Sequence, residues 1–186
     1  MDVVLTYNSK QAEAEAVVAE VRALGVQAAA LQLDVGNSKT FAAFAYQLGA
    51  LLSSQWQRDN IDFLINNAGI GIHASFAETT EEQFDLLMNI HLKGTFFLTQ
   101  TLLPLIKDGG RIVNISTGLA RFSFPGYAAY AAMKGGIEVL SRYMAKELGE
   151  KGIRVYAVSP GPLRTRAASG IAHFDELIDM AVTRTP

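Results

Sequence analysis

The feature that most constrains the fold is that short apolar runs and longer amphipathic runs follow each other in regular order along the chain. The short runs, such as residues 61–65 (IDFLI) and 111–116 (RIVNIS), lack a strict alternation of apolar and polar residues. Strands of this kind are typical of parallel sheets that are buried on both faces. Strands that alternate with helices along the chain indicate βαβ units. The sequence therefore predicts an α/β fold, a doubly wound parallel sheet.

The pattern divides the chain into five strands and five helices. We predict strands over residues 3–6, 26–35, 61–65, 111–116 and 153–158. We predict helices over residues 10–24, 38–57, 80–107, 126–149 and 174–183. Gly25 ends the first helix. Thr79, with Glu82 three residues later, predicts a capping box at the start of the third helix.

Composition indicates one ordinary domain over residues 1–186. The chain is 49% hydrophobic and 18% charged, with a formal net charge of −2, which gives no reason to expect a nucleic acid or an anionic membrane as partner. It contains no cysteine, so thiolate chemistry and disulfides are excluded, and a cytoplasmic location is expected. No group of His, Asp and Glu has the spacing of metal ligands. No apolar run approaches the roughly 20 residues that span a bilayer.

The stretch YAAYAAMK at residues 127–134 contains the candidate acid–base chemistry. Tyr130 and Lys134 are four residues apart and share a helix face, whereas Tyr127 has Ala131 at that distance. A free tyrosine has a pKa near 10, and a nearby ammonium lowers it. We therefore predict that Tyr130 is an acid–base residue whose pKa Lys134 lowers. The alternative is a surface helix with an extended lysine.

Polar motifs follow several of the predicted strands, where ligands of parallel sheets bind. In chain order the motifs are Asp34-Val35, Asn66-Asn67-Ala68-Gly69, Asn89 within a helix, Ser116-Thr117, Tyr130 with Lys134, and Pro160-Gly161-Pro162-Leu163-Arg164-Thr165. This ordered set covers essentially the whole chain. It resembles the short-chain dehydrogenase/reductase family, and in particular its 3-oxoacyl-thioester reductases.

The resemblance implies a role for each catalytic candidate. Tyr130 is the acid/base, and Lys134 lowers its pKa and holds the nicotinamide ribose. Thr117, thirteen residues before Tyr130, orients the substrate carbonyl, at a position where the family usually has serine. Ser116 is the alternative hydroxyl, although strand alternation directs it to the other face. Asn89 holds a water molecule.

The resemblance also implies a nicotinamide cofactor. Asp34 and Val35 contact adenine, Asn66 lies beside the adenosine ribose, and Leu163 and Thr165 lie near the nicotinamide amide and the pyrophosphate. NAD-specific sites place an acid after the second strand, and residues 7–10 (YNSK) contain none. We therefore favour NADP(H), held near Asn8 and Ser9, with NAD(H) possible. Alternatively, Asn8 and Ser9 simply cap the following helix.

The chain departs from the family at both ends. Residues 1–5 already match the family's second strand, so we expect a Rossmann-type domain that lacks the first Gly-rich βα unit and the final strand. The missing strand would lie between residues 3–6 and 61–65, where unpaired edges are expected. The run from Gly69 to Ala74 looks like a Gly-rich turn, but the next predicted helix begins too late to serve it.

Two functions follow from these features. The first is an NADP(H)-dependent oxidoreductase that interconverts a ketone and a secondary alcohol. The alternative is a truncated, non-catalytic family member that acts as an oligomerising unit. The expected partners are a small carbonyl or alcohol substrate and further copies of the chain, because helices 80–107 and 126–149 correspond to the family's subunit-joining pair, which implies a homodimer or homotetramer. His73 and His91 are interpreted as a loop residue and a helix-face residue.

Overall fold

The structure is a computed structural model that describes residues 1–161 and residue 178. Its strands are β1 (Val3–Tyr7), β2 (Ala28–Gln32), β3 (Ile61–Asn66), β4 (Ile106–Ile115) and β5 (Arg154–Val158). Its α-helices are α1 (Gln11–Ala23), α2 (Phe41–Trp56), α3 (Glu81–Leu87), α4 (Gly94–Leu102) and α5 (Ala128–Leu148), and a π-helical segment, Met88–Lys93, joins α3 to α4. The helix predicted over residues 174–183 lies outside the described residues apart from Ile178.

All the strands pair in parallel, which confirms the α/β class, and helices flank them. β1 pairs with β2, and β3, β4 and β5 pair in that order. Gly25 ends α1 as predicted, with a φ of 81° and a hydrogen bond from its N–H to the Arg22 carbonyl. The structure therefore has two parallel sheets where the sequence predicted one incomplete sheet.

A cavity of about 430 Å³ lies between the two sheets. Residues of β1 and β3 line it from opposite sides, and side chains of α2 and α4 line the rest. The gap is where the sequence predicted a missing strand. Phe63 and Ile65 of β3 are 48% and 58% exposed, so the expectation that these strands are buried on both faces is wrong for β3. Phe63 and Ile65 share one face of β3, whereas Leu64 points to the other face and packs against the main core.

The main core lies between α2 and α4. Its buried members are Leu33, Phe41, Phe44, Leu48, Leu52, Leu98 and Leu102. A smaller cluster beneath β4 and β5 comprises Ile106, Ile112 and Ile153. No helix in the described part of the chain combines the length and apolar character that a bilayer crossing requires.

Two predicted features of the third helix are wrong. The capping box is formed by Thr80 and Gln83, not by Thr79 and Glu82. The helix does not continue to residue 107, because Pro104 lies in a short 3₁₀ turn and Ile106 already pairs with Ile61. Strand β4 therefore begins five residues earlier than predicted, with a register shift before Arg111.

Candidate active site

The carboxyl end of β4 and the first turns of α5 form the centre of the candidate site. Lys134 is only 5% exposed. Its Nζ donates a 2.7 Å hydrogen bond to the carbonyl oxygen of Ile115, the last residue of β4. The same Nζ lies 5.8 Å from the centre of the Tyr130 ring. The two residues therefore face the site together, as their spacing predicted.

Burial dominates the ionisation of both side chains. It lowers the pKa of Lys134 to about 8. Burial also raises the pKa of Tyr130, and hydrogen bonding with the Thr117 side chain opposes this effect. The predicted lowering of the Tyr130 pKa by Lys134 is therefore wrong for this structure, because burial is the largest cause of the shift and Lys134 is not among its causes. Tyr130 remains a protonated phenol at neutral pH.

Ser116 and Thr117 point to opposite sides of the strand end. The Ser116 hydroxyl is buried and lies 3.2 Å from the Lys134 carbonyl oxygen and 3.0 Å from Oε1 of Glu138. The Thr117 hydroxyl is close enough to Tyr130 to affect its pKa, and it accepts a hydrogen bond from the Leu119 N–H. Thr117 is thus the hydroxyl on the side of Tyr130, as strand alternation predicted.

The π-helical segment places His91 against Tyr130. The His91 ring is 2% exposed and meets the Tyr130 ring edge-on, with 5.2 Å between the ring centres. Asn89 accepts a hydrogen bond from the Gly94 N–H at its carbonyl, and its side chain has no hydrogen bond to the described residues. Ordinary helical spacing could not have identified His91, because an i→i+5 turn changes which residues share a face.

A buried polar network that the sequence analysis did not predict lies behind the site. Asn66 Nδ2 donates to Thr99 Oγ1 and to Asn114 Oδ1, at 3.0 and 2.8 Å. Asn114 Nδ2 in turn donates to Ser141 Oγ at 2.8 Å. The side-chain amide of Asn66, predicted to lie beside a ribose, is therefore engaged in tying β3 to β4 and α4.

The other predicted cofactor contacts are spread along the sheet edges. Asp34 is exposed and accepts a 2.8 Å hydrogen bond from the Gly36 N–H, and Val35 is half-buried beside it. Asn8 and Ser9 are exposed, and neither caps α1, whose N-cap residue, Lys10, makes no side-chain capping bond. The capping alternative for Asn8 and Ser9 is therefore wrong. Leu163 and Thr165 lie outside the described residues.

The loop after β3 contacts the start of α5. The N–H of Ala74 donates to the Gly126 carbonyl, and the His73 ring meets the Tyr127 ring edge-on at 5.1 Å. No helix begins at Gly69, since the next one starts at Glu81, so this loop is not a Gly-rich phosphate turn. Instead, Gly69 leaves room for the His91 ring, because a Cβ there would lie 2.6 Å from His91 Cε1.

Known proteins resemble this chain over its whole length. The AacuN short chain dehydrogenase/reductase of Aspergillus aculeatus is 33% identical over 172 residues, which are 92% of this chain and 63% of AacuN. The 3-oxoacyl-(acyl-carrier-protein) reductase FabG of Staphylococcus aureus is 32% identical over 187 residues, which cover 100% of this chain and 73% of FabG. The chain thus spans less than two thirds of the length of AacuN and about three quarters of the length of FabG.

A solved structure of a related protein has the same fold. The landomycin C-6 ketoreductase LanV, with bound NADP and rabelomycin, superposes with a TM-score of 0.82 at 30% identity, over 86% of this chain and 65% of LanV. A family profile described as Enoyl-(Acyl carrier protein) reductase matches residues 1–186. Because the profile, the relatives and the fold agree, the chain belongs to the short-chain dehydrogenase/reductase family.

Proposed function

We propose that this protein is an NADP(H)-dependent oxidoreductase that interconverts a ketone and a secondary alcohol. The observation that carries the proposal is the grouping of Tyr130, Lys134 and Thr117 where β4 ends and α5 begins. Two hydroxyl groups and a buried ammonium there provide a proton donor, a carbonyl-orienting donor and a positive charge. The chain is similar to FabG, a 3-oxoacyl reductase, and to LanV, a ketoreductase, and this similarity supports a carbonyl substrate.

In the direction of reduction, hydride for the carbonyl carbon would come from a nicotinamide dinucleotide when it is bound. Tyr130 donates its proton to the carbonyl oxygen as negative charge develops there. The raised pKa of Tyr130 keeps that proton in place at neutral pH. The Thr117 hydroxyl donates a hydrogen bond to the same oxygen and fixes the carbonyl for proton transfer. One of the three Nζ hydrogens of Lys134 binds the Ile115 carbonyl oxygen, so the other two remain as donors for the ribose.

The preference for NADP(H) over NAD(H) rests on the connection between β1 and α1. Residues 8–10 contain no acid that would bind a ribose 2′-hydroxyl and repel a 2′-phosphate. The N-cap residue of α1, Lys10, makes no side-chain capping bond, and the exposed Asn8 and Ser9 precede it as small polar residues that suit a 2′-phosphate. LanV binds NADP. Adenine would lie at Asp34 and Val35, whereas Leu163 and Thr165, assigned to the nicotinamide and pyrophosphate by the family resemblance alone, lie outside the described residues.

The test of the catalytic assignment compares the two tyrosines. Tyr130→Phe removes the proton donor, so NADPH oxidation with a panel of ketones should fall below about a hundredth of the wild-type rate. Tyr127→Phe is the matched control, because Tyr127 lies one turn earlier and packs against His73. Its rate should stay close to wild type. Equal losses in the two variants would remove Tyr130 from the proposed role.

The second candidate, a non-catalytic unit that assembles with copies of itself, is supported by the gap between the sheets and by exposed apolar side chains. Phe84, Phe97 and Tyr143 are 40%, 41% and 65% exposed on α3, α4 and α5. Assembly through these helices is compatible with either function and would give a homodimer or homotetramer. Absence of NADPH oxidation in a wild-type protein that still assembles would favour this candidate.

A further inference from the structure

Glu138 is a charged residue of α5 that the proposed chemistry leaves unused. It lies four residues after Lys134 and eight after Tyr130, so the three side chains follow one face of the helix. Its side chain is only 17% exposed. The hydrogen bond from Ser159 is the largest cause that lowers the pKa of Glu138, so the carboxylate is charged at neutral pH. The helix face with the candidate acid–base pair therefore also presents a carboxylate.

One oxygen of Glu138 joins the ends of two strands. Oε1 accepts a 2.6 Å hydrogen bond from the Ser159 hydroxyl and a 3.0 Å hydrogen bond from the Ser116 hydroxyl. The Ser116 hydroxyl also lies 3.2 Å from the Lys134 carbonyl oxygen, but it has one proton, and the carboxylate is the nearer and stronger acceptor. Ser116 directly follows β4, and Ser159 directly follows β5. Glu138 therefore ties the carboxyl ends of both strands to α5.

Thr117 lies in a short extension of the β4–β5 pairing beyond the strand ends. The N–H groups of the residues before and after it donate to the carbonyls of Val158 and Pro160, at 2.7 and 3.0 Å. Thr117 itself has an extended backbone, with φ −160° and ψ 153°. Both serines that bind Glu138 lie within this extension. The direction of the Thr117 side chain thus depends on a piece of backbone that Glu138 holds in place.

The other oxygen of Glu138 has a weaker partner. Oε2 lies 3.9 Å from Nε of Arg121, whose side chain is 69% exposed, and an exposed ion pair at that distance contributes little. Arg142 reaches the backbone carbonyl of Glu138, at 3.4 Å, and not the carboxylate. The two serine hydroxyls are therefore the partners through which the carboxylate acts on the strand ends.

We propose that Glu138 is a positioning residue that holds the ends of β4 and β5 together and so directs the Thr117 hydroxyl towards the carbonyl oxygen that Tyr130 protonates. It acts through the two serine hydroxyls and not on the reacting atoms. The catalytic consequence rests on the proposed function, whereas the connection between the strand ends does not depend on turnover.

Substitutions of Glu138 test the catalytic consequence. Glu138→Gln retains an oxygen that can accept from both serines, whereas Glu138→Leu keeps a similar size and offers no acceptor. We expect Glu138→Leu to lower kcat about tenfold with little change in KM, and Glu138→Gln to stay within about threefold of wild type. Glu147→Leu is the matched control, because Glu147 is exposed near the end of the same helix. Equal rates in Glu138→Leu and Glu147→Leu would overturn the proposal.

A double-mutant cycle with Thr117→Ala shows whether Glu138 acts through Thr117. Once the Thr117 hydroxyl is gone, its direction no longer matters, so adding Glu138→Leu to Thr117→Ala should cause no further loss of kcat. General damage to the fold would instead multiply the two losses. That result would refute the positioning role.

Amide hydrogen exchange tests the connection without turnover. The Gly118 N–H, which binds Pro160 beyond the strand ends, should exchange at least about tenfold faster in Glu138→Leu than in wild type, while amides within β4 keep their rates. Ser159→Ala removes the shorter of the two bonds, leaves α5 unchanged and should have the same effect. Unchanged exchange at Gly118, or faster exchange throughout β4, would overturn the inference. Wild-type protein that oxidises no NADPH with any ketone would refute the proposed function, and the exchange rates would still decide whether Glu138 holds the strand ends.

Discussion

At the residue scale, adjacent hydroxyls have different environments because a strand turns successive side chains to opposite faces. Ser116 is directed towards α5, where Glu138 and the Lys134 carbonyl surround it. Thr117 is half-buried on the side of Tyr130. The threonine methyl group restricts χ1 and so limits the directions in which the hydroxyl can point. The orientation of one side chain therefore decides which hydroxyl can meet a carbonyl oxygen.

Replacing Thr117 tests that assignment. Thr117→Ala removes one hydrogen-bond donor to the developing negative charge, and we expect kcat to fall by about 10²-fold. Thr117→Ser keeps the donor and should restore the rate. Steady-state NADPH oxidation measures both variants. A larger loss in Ser116→Ala than in Thr117→Ala would show that the other hydroxyl orients the substrate.

His91 should make the stability of the protein depend on pH. Its pKa is about 4 in the folded chain, against an ordinary value of 6.5. As the pH falls from 6.5 to 4, the unfolded chain binds a proton that the folded chain does not, so the free energy of unfolding falls. The slope should approach about 1.4 kcal/mol per pH unit. Lys134 adds no slope there, because it is protonated in both states below its pKa of about 8.

Urea unfolding at pH 7 and pH 5 measures this effect, with His91→Gln as the control. Both proteins retain the stabilising contacts that lower the pKa values of Asp62 and Glu138, so the acid sensitivity of those carboxylates cancels in the comparison. We expect the wild type to lose more stability between the two pH values than the variant does. Identical losses would show that His91 is not buried in its neutral form.

At the element scale, the π-helical segment fixes how closely α4 approaches the end of β2. Gly94 begins α4 and is buried. A Cβ on Gly94 would lie 2.9 Å from the Asn89 carbonyl oxygen and still closer to the Val35 carbonyl oxygen. Both obstacles are backbone atoms, which cannot turn aside as a flexible side chain does. The close approach therefore requires glycine, and it sets the position of the segment that contains His91.

Gly94→Ala should destabilise the protein by about 1–3 kcal/mol, as expected for overpacking. Gly135→Ala is the matched control, because Gly135 lies inside α5 with no atom within 4 Å of the added Cβ. That substitution should raise stability by roughly 0.5–1 kcal/mol through helix propensity. Thermal unfolding followed by circular dichroism measures both. Equal stability of Gly94→Ala and wild type would contradict the packing described for this helix.

At the scale of the whole molecule, the gap between β1 and β3 should weaken cofactor binding. The connection after β1 contains no glycine, so it cannot stack backbone N–H groups closely against a pyrophosphate. We expect residues 1–186 to bind NADPH at least about 10²-fold more weakly than LanV, whose solved structure contains NADP, a difference of about 2.7 kcal/mol. Isothermal titration of the two proteins compares the affinities. Equal affinities would show that the pyrophosphate has another binding site in this chain.

Self-association is the second prediction at this scale. Phe97 and Tyr143, exposed on α4 and α5, present apolar area that pairing of these helices would bury. Light scattering should give a dimer or tetramer for the wild type and a monomer for the double variant Phe97→Glu, Tyr143→Glu. Tyr46→Glu, at an 80% exposed position on α2, is the control and should leave the assembly unchanged. A monomeric wild type at high concentration would refute the assembly.

The sequence by itself determined the parallel α/β class and the pairing of Tyr130 with Lys134. Both depend on local periodicity, namely apolar runs of strand length and an i, i+4 spacing on one helix face. The resemblance to the family, through a thirteen-residue spacing before Tyr130, indicated Thr117, and strand alternation directed Ser116 to the other face. These features could be predicted because each is decided within a few residues along the chain.

Only the tertiary structure decided the environment of those residues. The contact of His91 with Tyr130 depends on a π-helical turn, whose i→i+5 bond changes the helical phase. The raised pKa of Tyr130 depends mainly on burial, to which segments far away in sequence, such as the one containing His91, contribute. The side-chain amide of Asn66 donates a hydrogen bond to Asn114, which lies 48 residues away in the sequence. Desolvation and long-range hydrogen bonds depend on which distant atoms meet, and local sequence patterns do not contain that information.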